Sequence, residues 1–491
     1  MKEEGPRHIL AALLMESNTL YYGDNLPVLR DHIPDRSIDL VYLDPPFNSK
    51  KEYNILFDEP AGGGKARAQV TAFEDFWQWD NAAGAAYAEI VEKAPPNVAT
   101  LMSALVAALG KNDVTAYLVM MTIRLLELKR VLKDDGSIYL HCDPAASHYL
   151  KGVMDAIFGK QSFRREIIWR SGWVSGFKTR AKNWIRNHDV ILYYVKDPKS
   201  FCFNKQFFEH PPGYKRRGGG ENPEGVAMDD VWTDIYSPWI MSFSGEKLGY
   251  LTQKPIALLQ RIIRASSDPG DVVLDPFCGC GTSIHAAELE KRHWVGIDIT
   301  HLAVAVVRSR MESAWPGLTF RVQGEPADVA GAKALFDADP HQFQWWAVSL
   351  VRGQPTQPEK KGGDRGIDGR LVFMDTPEGA VKAVVISVKG GGAGPSDVRD
   401  LRGVCDREGA LGVFVMLREP TREMRAEATG AGEYTSPLYG RAFPKLQIVT
   451  IKQLLDSKGD ARGALRLPAT VPFMPAAKRE ASREGEQTSL I

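Results

Sequence analysis

Short apolar segments that each end in polar loop residues recur along the first part of the chain. Thr19–Tyr22 leads into Gly23-Asp24-Asn25, and Ile38–Leu43 leads into Asp44-Pro45-Pro46-Phe47. Further along, a predicted amphipathic helix over Leu258–Ala265, a short strand, a glycine-rich loop, a second helical segment and a strand at Trp294–Ile297 follow one another. Buried strands that alternate with helices indicate a mostly parallel sheet, whose ligands bind at the carboxyl ends of the strands. The pattern predicts an α/β fold.

A second region with its own helix and strand signals follows the first. We predict a first domain over residues 1–320 and a second, smaller α/β domain over residues 338–456. The stretch Gly353–Gly366, rich in glycine and lysine, lies inside the second region. Residues 470–491 are polar and poor in aromatic side chains, which predicts a disordered tail.

The composition is that of a chain with a full hydrophobic core. Hydrophobic residues make up 44% and charged residues 25%, and 61 basic side chains balance 61 acidic ones. A net charge of zero excludes a histone-like protein but leaves room for a local basic surface. The five cysteines form no CxxC pair, and no apolar run is long enough for a signal peptide or a membrane span. We therefore expect a cytoplasmic protein without a membrane partner.

The loop at residues 275–282 (DPFCGCGT) has the character of a cofactor-binding turn. It lies between a predicted strand and a predicted helix, and its glycines let the backbone approach a ligand beside free amides at the helix N-terminus. Asp298 ends the next strand, 23 residues after Asp275, where it can accept hydrogen bonds from ribose hydroxyls. Ile284 stands where a dinucleotide loop has its third glycine. An adenosine ligand other than a dinucleotide is therefore favoured.

The tetrapeptide Asp44-Pro45-Pro46-Phe47 suits chemistry on an amino group. The prolines fix the backbone, so that the Asp44 carboxylate and the Pro45 carbonyl can accept hydrogen bonds from one amino group while Phe47 offers a stacking face. An exocyclic amine on a base is conjugated and poorly nucleophilic, and two acceptors make its lone pair more available. No cysteine precedes the prolines, which favours direct transfer over a covalent intermediate. The alternative is a rigid surface turn.

This tetrapeptide, followed downstream by the glycine loop, resembles the S-adenosylmethionine-dependent amino-methyltransferases, and the order of the two motifs resembles the β class of DNA methyltransferases. Gly23–Asn25, Gly136–Asp143 and Thr252–Pro255 resemble further motifs of that class, over roughly residues 18–315. The resemblance implies a Rossmann-like sheet of seven strands on which both motifs meet. It also implies S-adenosylmethionine as the cofactor and adenine N6 in double-stranded DNA as the target, in restriction–modification or phage defence.

The same resemblance implies a role for each motif residue. It assigns to the target base Asp44, Pro45, Pro46 and Phe47, and to the cofactor Asp24, Lys254, Asp275, Phe277, Gly279, Gly281, Thr282 and Asp298. Cytosine-N4 relatives more often begin the tetrapeptide with serine, so adenine is expected and cytosine-N4 transfer is the alternative. A second alternative is a DNA-binding or nuclease effector whose methyltransferase half is a sensor. A homodimer is compatible with the sequence, and other restriction or defence subunits are unknown.

A basic segment separates the two motif blocks. Residues 161–219 carry thirteen Lys and Arg against four Asp and Glu, interleaved with Trp169, Trp173, Trp184 and Tyr214. Such a segment suits contact with DNA phosphates and bases. Because the β class has its target-recognition region at this place, we predict that residues 161–250 contact DNA.

The second region resembles the Mrr-like branch of the PD-(D/E)xK nucleases. Asp368 matches the metal-binding acid of that branch and Lys389 its catalytic lysine, which implies Mg²⁺ as a second cofactor. Ser387 stands where the family has glutamate or glutamine, so one carboxylate ligand of the metal is missing. Two expectations stay open: weak or conditional cleavage of DNA, and a degenerate nuclease fold kept for DNA binding or docking.

Overall fold

A computed structural model describes residues 18–46, 52–58, 67–74, 79–172, 182, 184–210, 225–237, 253–355, 367–376, 380–457 and 464–468, of which residues 52–58 and 67–74 and Gln354 are described by their backbone alone. Several sequence predictions lie outside these residues: Phe47, Trp173, Tyr214, Thr252, the basic residues Lys178, Arg180, Lys215, Arg216 and Arg217, and the tail 470–491.

The strands of the N-terminal part are, in chain order, β1 (Thr19–Tyr22), β2 (Ile38–Leu43), β3 (Glu52–Asp58), β4 (Arg67–Glu74), β5 (Leu132–Cys142), β6 (Phe163–Arg170), β7 (His188–Val195), β8 (Phe207–Phe208), β9 (Val226–Ala227), β10 (Val231–Trp232), β11 (Val272–Asp275), β12 (His293–Asp298) and β13 (Arg321–Gln323). Its helices are α1 (Asn25–His32), α2 (Asn81–Lys93), α3 (Pro96–Leu109), α4 (Asp113–Val131), α5 (Pro144–Phe158), α6 (Ile256–Ser266), α7 (Thr282–Leu289) and α8 (His301–Ala314).

One sheet organises this part, in the strand order β10-β6-β7-β5-β2-β11-β12-β1-β13. Strand β7 runs antiparallel to both of its neighbours, and the other pairings are parallel. Seven longer strands form the centre, and the short strands β10 and β13 extend the two edges. The α/β fold and the Rossmann-like sheet predicted from the sequence are confirmed.

Helices cover both faces of the sheet because the strands are apolar on both sides. One buried cluster joins side chains of α1–α5 to one face, and a second joins α6, α7 and α8 to the other. Helix α6 shows the cause, since its apolar residues recur at helical spacing and are almost completely buried: Leu258, Leu259, Ile262 and Ile263. No helix within the described ranges is both long and apolar enough to cross a bilayer.

The order of the strands brings the two motif loops to one edge. Strand β2 pairs with β11 in parallel, with Leu40 opposite Val273 and Val41 opposite Leu274. The loops that follow the two strands, which begin at Asp44 and after Asp275, therefore leave the sheet side by side. This edge is the usual ligand-binding edge of a parallel α/β sheet.

The C-terminal part contains β14 (Gln354–Pro355), β15 (Gly369–Met374), β16 (Val381–Lys389), β17 (Leu411–Met416), β18 (Glu433–Thr435), β19 (Ala442–Pro444) and β20 (Leu446–Thr450), with the helices α9 (Val329–Ala338), α10 (Pro340–Leu350), α11 (Pro395–Glu408), α12 (Arg422–Thr429) and α13 (Ile451–Asp456). Its sheet has the order β14-β15-β16-β17-β20, and β18 and β19 form a separate hairpin.

This second sheet also has a core on each face. Phe343 and Trp346 of α10 pack on one side, and Leu401 and Met424 on the other. Helix α9 begins before residue 338, where the second domain was predicted to start, yet its Ala332 is buried in the same core as Trp346. The part is a smaller α/β unit, as predicted.

Candidate active site

The acid of the tetrapeptide lies against a lysine from a distant part of the chain. Asp44 follows β2, and its Oδ2 accepts a hydrogen bond from Nζ of Lys254, which lies just before α6. The two side chains are only 17% and 12% exposed, so the ion pair is largely screened from water. Pro45 is buried and Pro46 half-buried beside it, and Phe47 lies outside the described residues. The structure thus places Lys254, which the resemblance assigned to the cofactor, on the carboxylate assigned to the base.

Asp275, the acid that opens the cofactor loop, is deeply buried. It is 4% exposed, and its carboxylate accepts a hydrogen bond from the Phe277 amide at 2.9 Å and another from the Ser283 hydroxyl. Burial raises the pKa of Asp275 to about 7, and the nearby charges on Asp44 and Asp298 push it in the same direction. The three predicted acids therefore share one environment, which favours a cationic ligand.

Asp298 holds the glycine loop from the end of the next strand. Its Oδ2 accepts the Gly279 amide at 3.0 Å, and its Oδ1 accepts the amide and the hydroxyl of Thr300, both at 2.9 Å. Gly281 has φ +73°, and a Cβ there would lie 2.8 Å from the Val307 side chain, so the loop needs glycine at this point. Burial raises the pKa of Asp298. The predicted ribose-binding acid and the glycine loop form one unit.

Thr282 begins α7 directly after this loop. Its hydroxyl lies 3.3 Å from Nη1 of Arg310, which also donates to the Cys280 carbonyl at 3.0 Å. Arg310 belongs to α8, so this helix stabilises the glycine loop through the hydrogen bond to Cys280. The sequence analysis did not single out Arg310, because nothing near it in the chain indicates which loop it reaches.

Asp24 belongs to a buried network centred on a residue that the sequence analysis also missed. Asp24 caps α1 by accepting the Leu26 amide, and Nη2 of Arg124 donates to the same carboxylate at 2.7 Å. Nε of Arg124 donates to Asn25 at 2.6 Å, and Asn25 donates to the Pro276 carbonyl at 2.8 Å. Arg124 therefore ties the loop after β1 to the cofactor loop. The available signal was the position of Arg124 among apolar residues in the middle of α4, away from the charged last turn.

A second buried network lies behind the tetrapeptide. The Tyr42 hydroxyl is 2.9 Å from Nδ1 of His141, and Nε2 of His141 is 3.4 Å from Asp189. Arg186 reaches Asp189 at 2.6 Å and Asp143 at 3.1 Å. Although burial raises the pKa of Asp189, the hydrogen bond and charge of His141 hold it well below the usual range. Arg186 of the basic segment is thus linked to the strand that ends at the tetrapeptide.

The basic segment divides into buried and exposed parts. Trp169 is 1% exposed and donates to the Ile235 carbonyl at 2.8 Å, so it belongs to the core. The prediction that it takes part in DNA contact is wrong, because alternate side chains of β6 face the interior. Trp184, in contrast, is 96% exposed, on the chain that leads into β7. Strand β7 begins opposite the carboxyl end of β5, so Trp184 lies toward the edge that carries both motif loops.

The structure also brings together the predicted nuclease residues. Oδ2 of Asp368 accepts the Val388 amide at 2.6 Å and lies 3.4 Å from the Ser387 hydroxyl. Nζ of Lys389 lies 3.7 Å from the Asp397 carboxylate on α11. Across the ranges that the structure describes, no group of three or more His, Cys, Asp or Glu side chains is arranged to hold a metal ion.

Comparison with known proteins gives relatives for the N-terminal part. The chain is 28% identical to Type II methyltransferase M.BamHI of Bacillus amyloliquefaciens over 306 residues, which are 60% of this chain and 57% of the relative. It is 26% identical to DNA adenine methyltransferase YhdJ of Escherichia coli (strain K12) over 305 residues, covering 61% of this chain and 84% of that protein. The chain spans 57–58% of the length of M.BamHI, M.EcaI and M.HpaI.

Among solved structures, the M1.HpyAVI–SAM complex is 16% identical, covers 60% of this chain and 98% of its own, and has a TM-score of 0.35. Residues 340–456 match the sequence model of a family described as NACHT-associated inactive Restriction Endonuclease 1. The Mrr-like assignment of this part stays a prediction. Residues 38–308 match the sequence model of the family described as DNA methylase (N6_N4_Mtase). Because that match covers more than half of the chain and spans both motif loops, the protein belongs to the DNA methylase family.

Proposed function

We propose that the protein transfers a methyl group from S-adenosylmethionine to the N6 amino group of adenine in double-stranded DNA. The observation that carries the proposal is the convergence of the Asp44 loop and the Asp275–Thr282 loop at one edge of the sheet, where β2 pairs with β11. A methyl donor and an amine acceptor must lie within a few ångströms of each other for direct transfer, and two loops from paired strands meet that requirement.

The residues of this edge suit the proposed cofactor. Burial raises the pKa of both Asp275 and Asp298, so their charged forms lack compensation, and the positively charged sulfonium and ammonium groups of S-adenosylmethionine would supply it. Val307 fills the space that a Cβ at Gly281 would occupy, so the loop can follow this path into α7 only with glycine there. The backbone amides at the start of α7 can then donate hydrogen bonds to a ligand beside the loop. Asp298 would hold the ribose hydroxyls, and Asp24, fixed by Arg124, would face the methionyl part.

Bound S-adenosylmethionine supplies an activated methyl group, so the protein must supply only a nucleophile in the right place. Lys254 contacts one oxygen of Asp44, and the other oxygen can accept a hydrogen from the exocyclic amine. The Pro45 carbonyl would accept the second hydrogen, which makes the nitrogen lone pair available. Positioning of this kind contributes up to roughly 7–11 kcal/mol to rate enhancement. As the N–C bond forms, the bond from carbon to sulfur would break and release S-adenosylhomocysteine, and the methylated nitrogen would then give its proton to solvent. Asp44 is therefore needed as a hydrogen-bond acceptor and not as a strong base.

The target base must leave the duplex before this can happen, at a cost of a few kcal/mol. Exposed Trp184 and half-exposed Arg186 lie on the segment between the two motif blocks and support DNA contact there. The aspartate that opens the tetrapeptide, together with similarity to a relative named as a DNA adenine methyltransferase, supports adenine over cytosine.

For the C-terminal domain we propose a role without DNA cleavage. Ser387 offers a weaker metal ligand than a carboxylate, and Asp397 compensates the charge of Lys389. The description of the matched family as inactive points in the same direction. The competing function is a Mg²⁺-dependent nuclease, which the same two residues, Asp368 and Lys389, would have to support.

The decisive experiment measures methylated nucleosides. Purified protein, S-adenosylmethionine and unmethylated plasmid DNA are incubated, the DNA is digested to nucleosides, and N6-methyladenine and N4-methylcytosine are quantified by mass spectrometry. We expect N6-methyladenine from the wild type and from Asp31→Ala, a change at an exposed acid of α1. N4-methylcytosine alone would overturn the adenine assignment, and neither product would overturn the proposed transfer to DNA.

A further inference from the structure

The N-terminal and C-terminal parts meet at the first turn of α8, next to the cofactor loop. Helix α8 begins three residues after Asp298, and α10 of the C-terminal domain packs against it. We infer that the C-terminal domain forms part of the cofactor-binding edge, with Gln342 as a positioning residue for Asp298. This inference rests on the proposed binding of S-adenosylmethionine.

The contact is centred on a completely buried histidine. The ring of His301 stacks on that of Tyr22, with centroids 3.6 Å apart and planes inclined by 18°. Trp346 of α10 approaches the same ring from the other domain, with centroids 6.4 Å apart. Tyr22 pairs with Asp298 in the sheet, so the stack lies directly beside the predicted ribose-binding acid. Without the C-terminal domain, the His301 ring would lose its contact with Trp346 and become more exposed to solvent.

Gln342 completes the N-terminal cap of α8. The first amides of a helix have no partner within the helix and need an acceptor from elsewhere. Thr300 accepts the Ala303 amide at 3.1 Å, and Oε1 of Gln342 accepts the His301 amide at 3.1 Å. Thr300 also donates twice to Asp298. Of the two side chains that accept the first amides of α8, Thr300 therefore comes from the same chain segment as Asp298, and Gln342 comes from the other domain.

Acidic side chains fix the elements on each side of this contact. Glu325 lies 3.6 Å from Nδ1 of His301 and 2.5 Å from Arg308 of α8. Asp339 caps α10 by accepting the amides of His341 and Gln342, at 2.9 and 3.1 Å, which fixes the direction from which Gln342 reaches α8.

The pKa of Tyr22 also reflects how close the two domains lie. Burial raises its pKa to about 12, and the carboxylates of Asp339, Glu325 and Asp298 add to that effect. The carboxylate of Asp339, in the second domain, therefore influences Tyr22, which pairs with Asp298 in the sheet.

Two consequences follow for a domain proposed not to cleave DNA. First, the fold is retained because it holds the turn from Asp298 to His301 in place. Second, coupling between two sites is reciprocal, so a ligand at Asp298 must also stabilise the contact between α8 and α10. The nuclease-like domain would thereby respond to the presence of the cofactor.

The test compares two glutamines of α10 in the full-length protein. Gln342→Ala removes the acceptor for the His301 amide, Gln342→Glu keeps an acceptor at the same distance, and Gln344→Ala changes a residue two positions further along the helix. The dissociation constant of S-adenosylhomocysteine is measured by calorimetry. Loss of one hydrogen bond should weaken binding about three- to tenfold in Gln342→Ala. Gln342→Glu and Gln344→Ala should stay within about twofold of the wild type, because the first keeps an acceptor for the His301 amide and the second leaves Gln342 in place.

Hydrogen exchange gives the reciprocal measurement. S-adenosylhomocysteine should slow amide exchange in α10 of the wild type and should do so less in Gln342→Ala. Equal affinity of Gln342→Ala and the wild type, with no ligand effect on exchange in α10, would overturn the inference while leaving the proposed function intact. A wild type that binds no S-adenosylhomocysteine would refute the proposed function itself, and the inference with it.

Discussion

Both domains place an aspartate and a lysine together beside a sheet, but the surroundings of the two pairs differ. In the N-terminal domain, Asp44 and Lys254 lie beside a glycine loop held by two more acids, Asp275 and Asp298. In the C-terminal domain, Asp368 is engaged by a strand amide, and Lys389 turns toward Asp397 on a helix. An acid beside a lysine is therefore not enough to indicate a site. The N-terminal pair is distinguished by the glycine loop that follows β11, the strand paired with β2.

The largest effect should come from the acid of the tetrapeptide. We expect Asp44→Ala to lower methyl transfer by about 100-fold or more, the scale on which loss of one positioned polar group slows an enzyme. Affinity for S-adenosylhomocysteine should persist, since Asp44 is assigned to the base. Methylation is measured by mass spectrometry and affinity by calorimetry, with Asp31→Ala as the control. Activity above a tenth of the wild type would remove Asp44 from the role proposed for it.

The next effect concerns the acid that holds the glycine loop. Asp298→Ala should weaken cofactor binding by roughly 1.5–3 kcal/mol, the cost of losing hydrogen bonds to a charged group. Since 1.4 kcal/mol is a factor of ten, calorimetry should show a loss of about 10- to 150-fold. Glu92→Ala, at an exposed position of α2, serves as the control. An unchanged dissociation constant would mean that Asp298 only holds Gly279 and Thr300.

A smaller effect is expected where buried and exposed arginines can be compared. Arg124 is 7% exposed and bonds to Asp24 and Asn25, whereas Arg30 is 34% exposed and pairs with Glu89 and Glu127. Arg124→Met should lower the free energy of unfolding by about 2–3 kcal/mol. Arg30→Met should lower it by less than about 1 kcal/mol, because exposed ion pairs contribute little. Urea unfolding measures both, and equal losses would contradict the distinction.

Much of the first domain could be predicted from local patterns. The strand at Trp294–Ile297 is His293–Asp298 in the structure, and the helix predicted over Leu258–Ala265 is Ile256–Ser266. Local periodicity and turn chemistry carry that information. The contact of Lys254 with Asp44 spans 210 residues of sequence, so it depends on the packing of the whole sheet.

The error at Trp169 has a related cause. The basic and aromatic residues along β6 give it a composition typical of DNA-binding segments, but composition does not show which face of the strand points inward. Ile167 and Trp169 alternate into the core, while Glu166 is exposed. Burial of this kind is decided by the neighbouring strand and helix, and no short stretch of sequence contains it.

The buried acid of the cofactor loop should give the folded protein a distinctive pH dependence. The pKa of Asp275 is about 7 in the folded state, against an ordinary value of 3.8. Between those values the folded state binds more protons than the unfolded one, so this group's stabilisation is complete below about pH 4 and is lost as the pH rises toward 7. Asp275→Asn should lack that loss. Urea unfolding from pH 5 to 8 should show the advantage of the wild type over the variant shrinking as the pH rises, and a constant difference would contradict the assignment.

The smallest effect is expected at the predicted nuclease residues, and it sharpens the comparison between the two domains. Purified wild-type protein is incubated with unmethylated and N6-methylated DNA in Mg²⁺ and in Mn²⁺, beside Asp368→Ala and Lys389→Ala. We expect no cleavage by any of them, because Ser387 replaces a carboxylate ligand and Asp397 compensates Lys389. Methylation should stay within about twofold of the wild type in both variants, because Asp368 bonds to Val388 of the second sheet and Lys389 pairs with Asp397 of α11, and neither contact involves the two motif loops.

One outcome of that experiment would reverse the interpretation of the C-terminal domain. Metal-dependent cleavage by the wild type that disappears in both variants would establish a working nuclease, with an oxygen ligand near Ser387 in place of the missing acid. Cleavage that survives Asp368→Ala would instead belong to other residues or to a contaminant. Asp368→Ala should still cost about 1 kcal/mol of stability, because it removes the acceptor for the Val388 amide. A measurable loss of stability without any loss of activity is what an acid retained for the fold, and not for chemistry, should show.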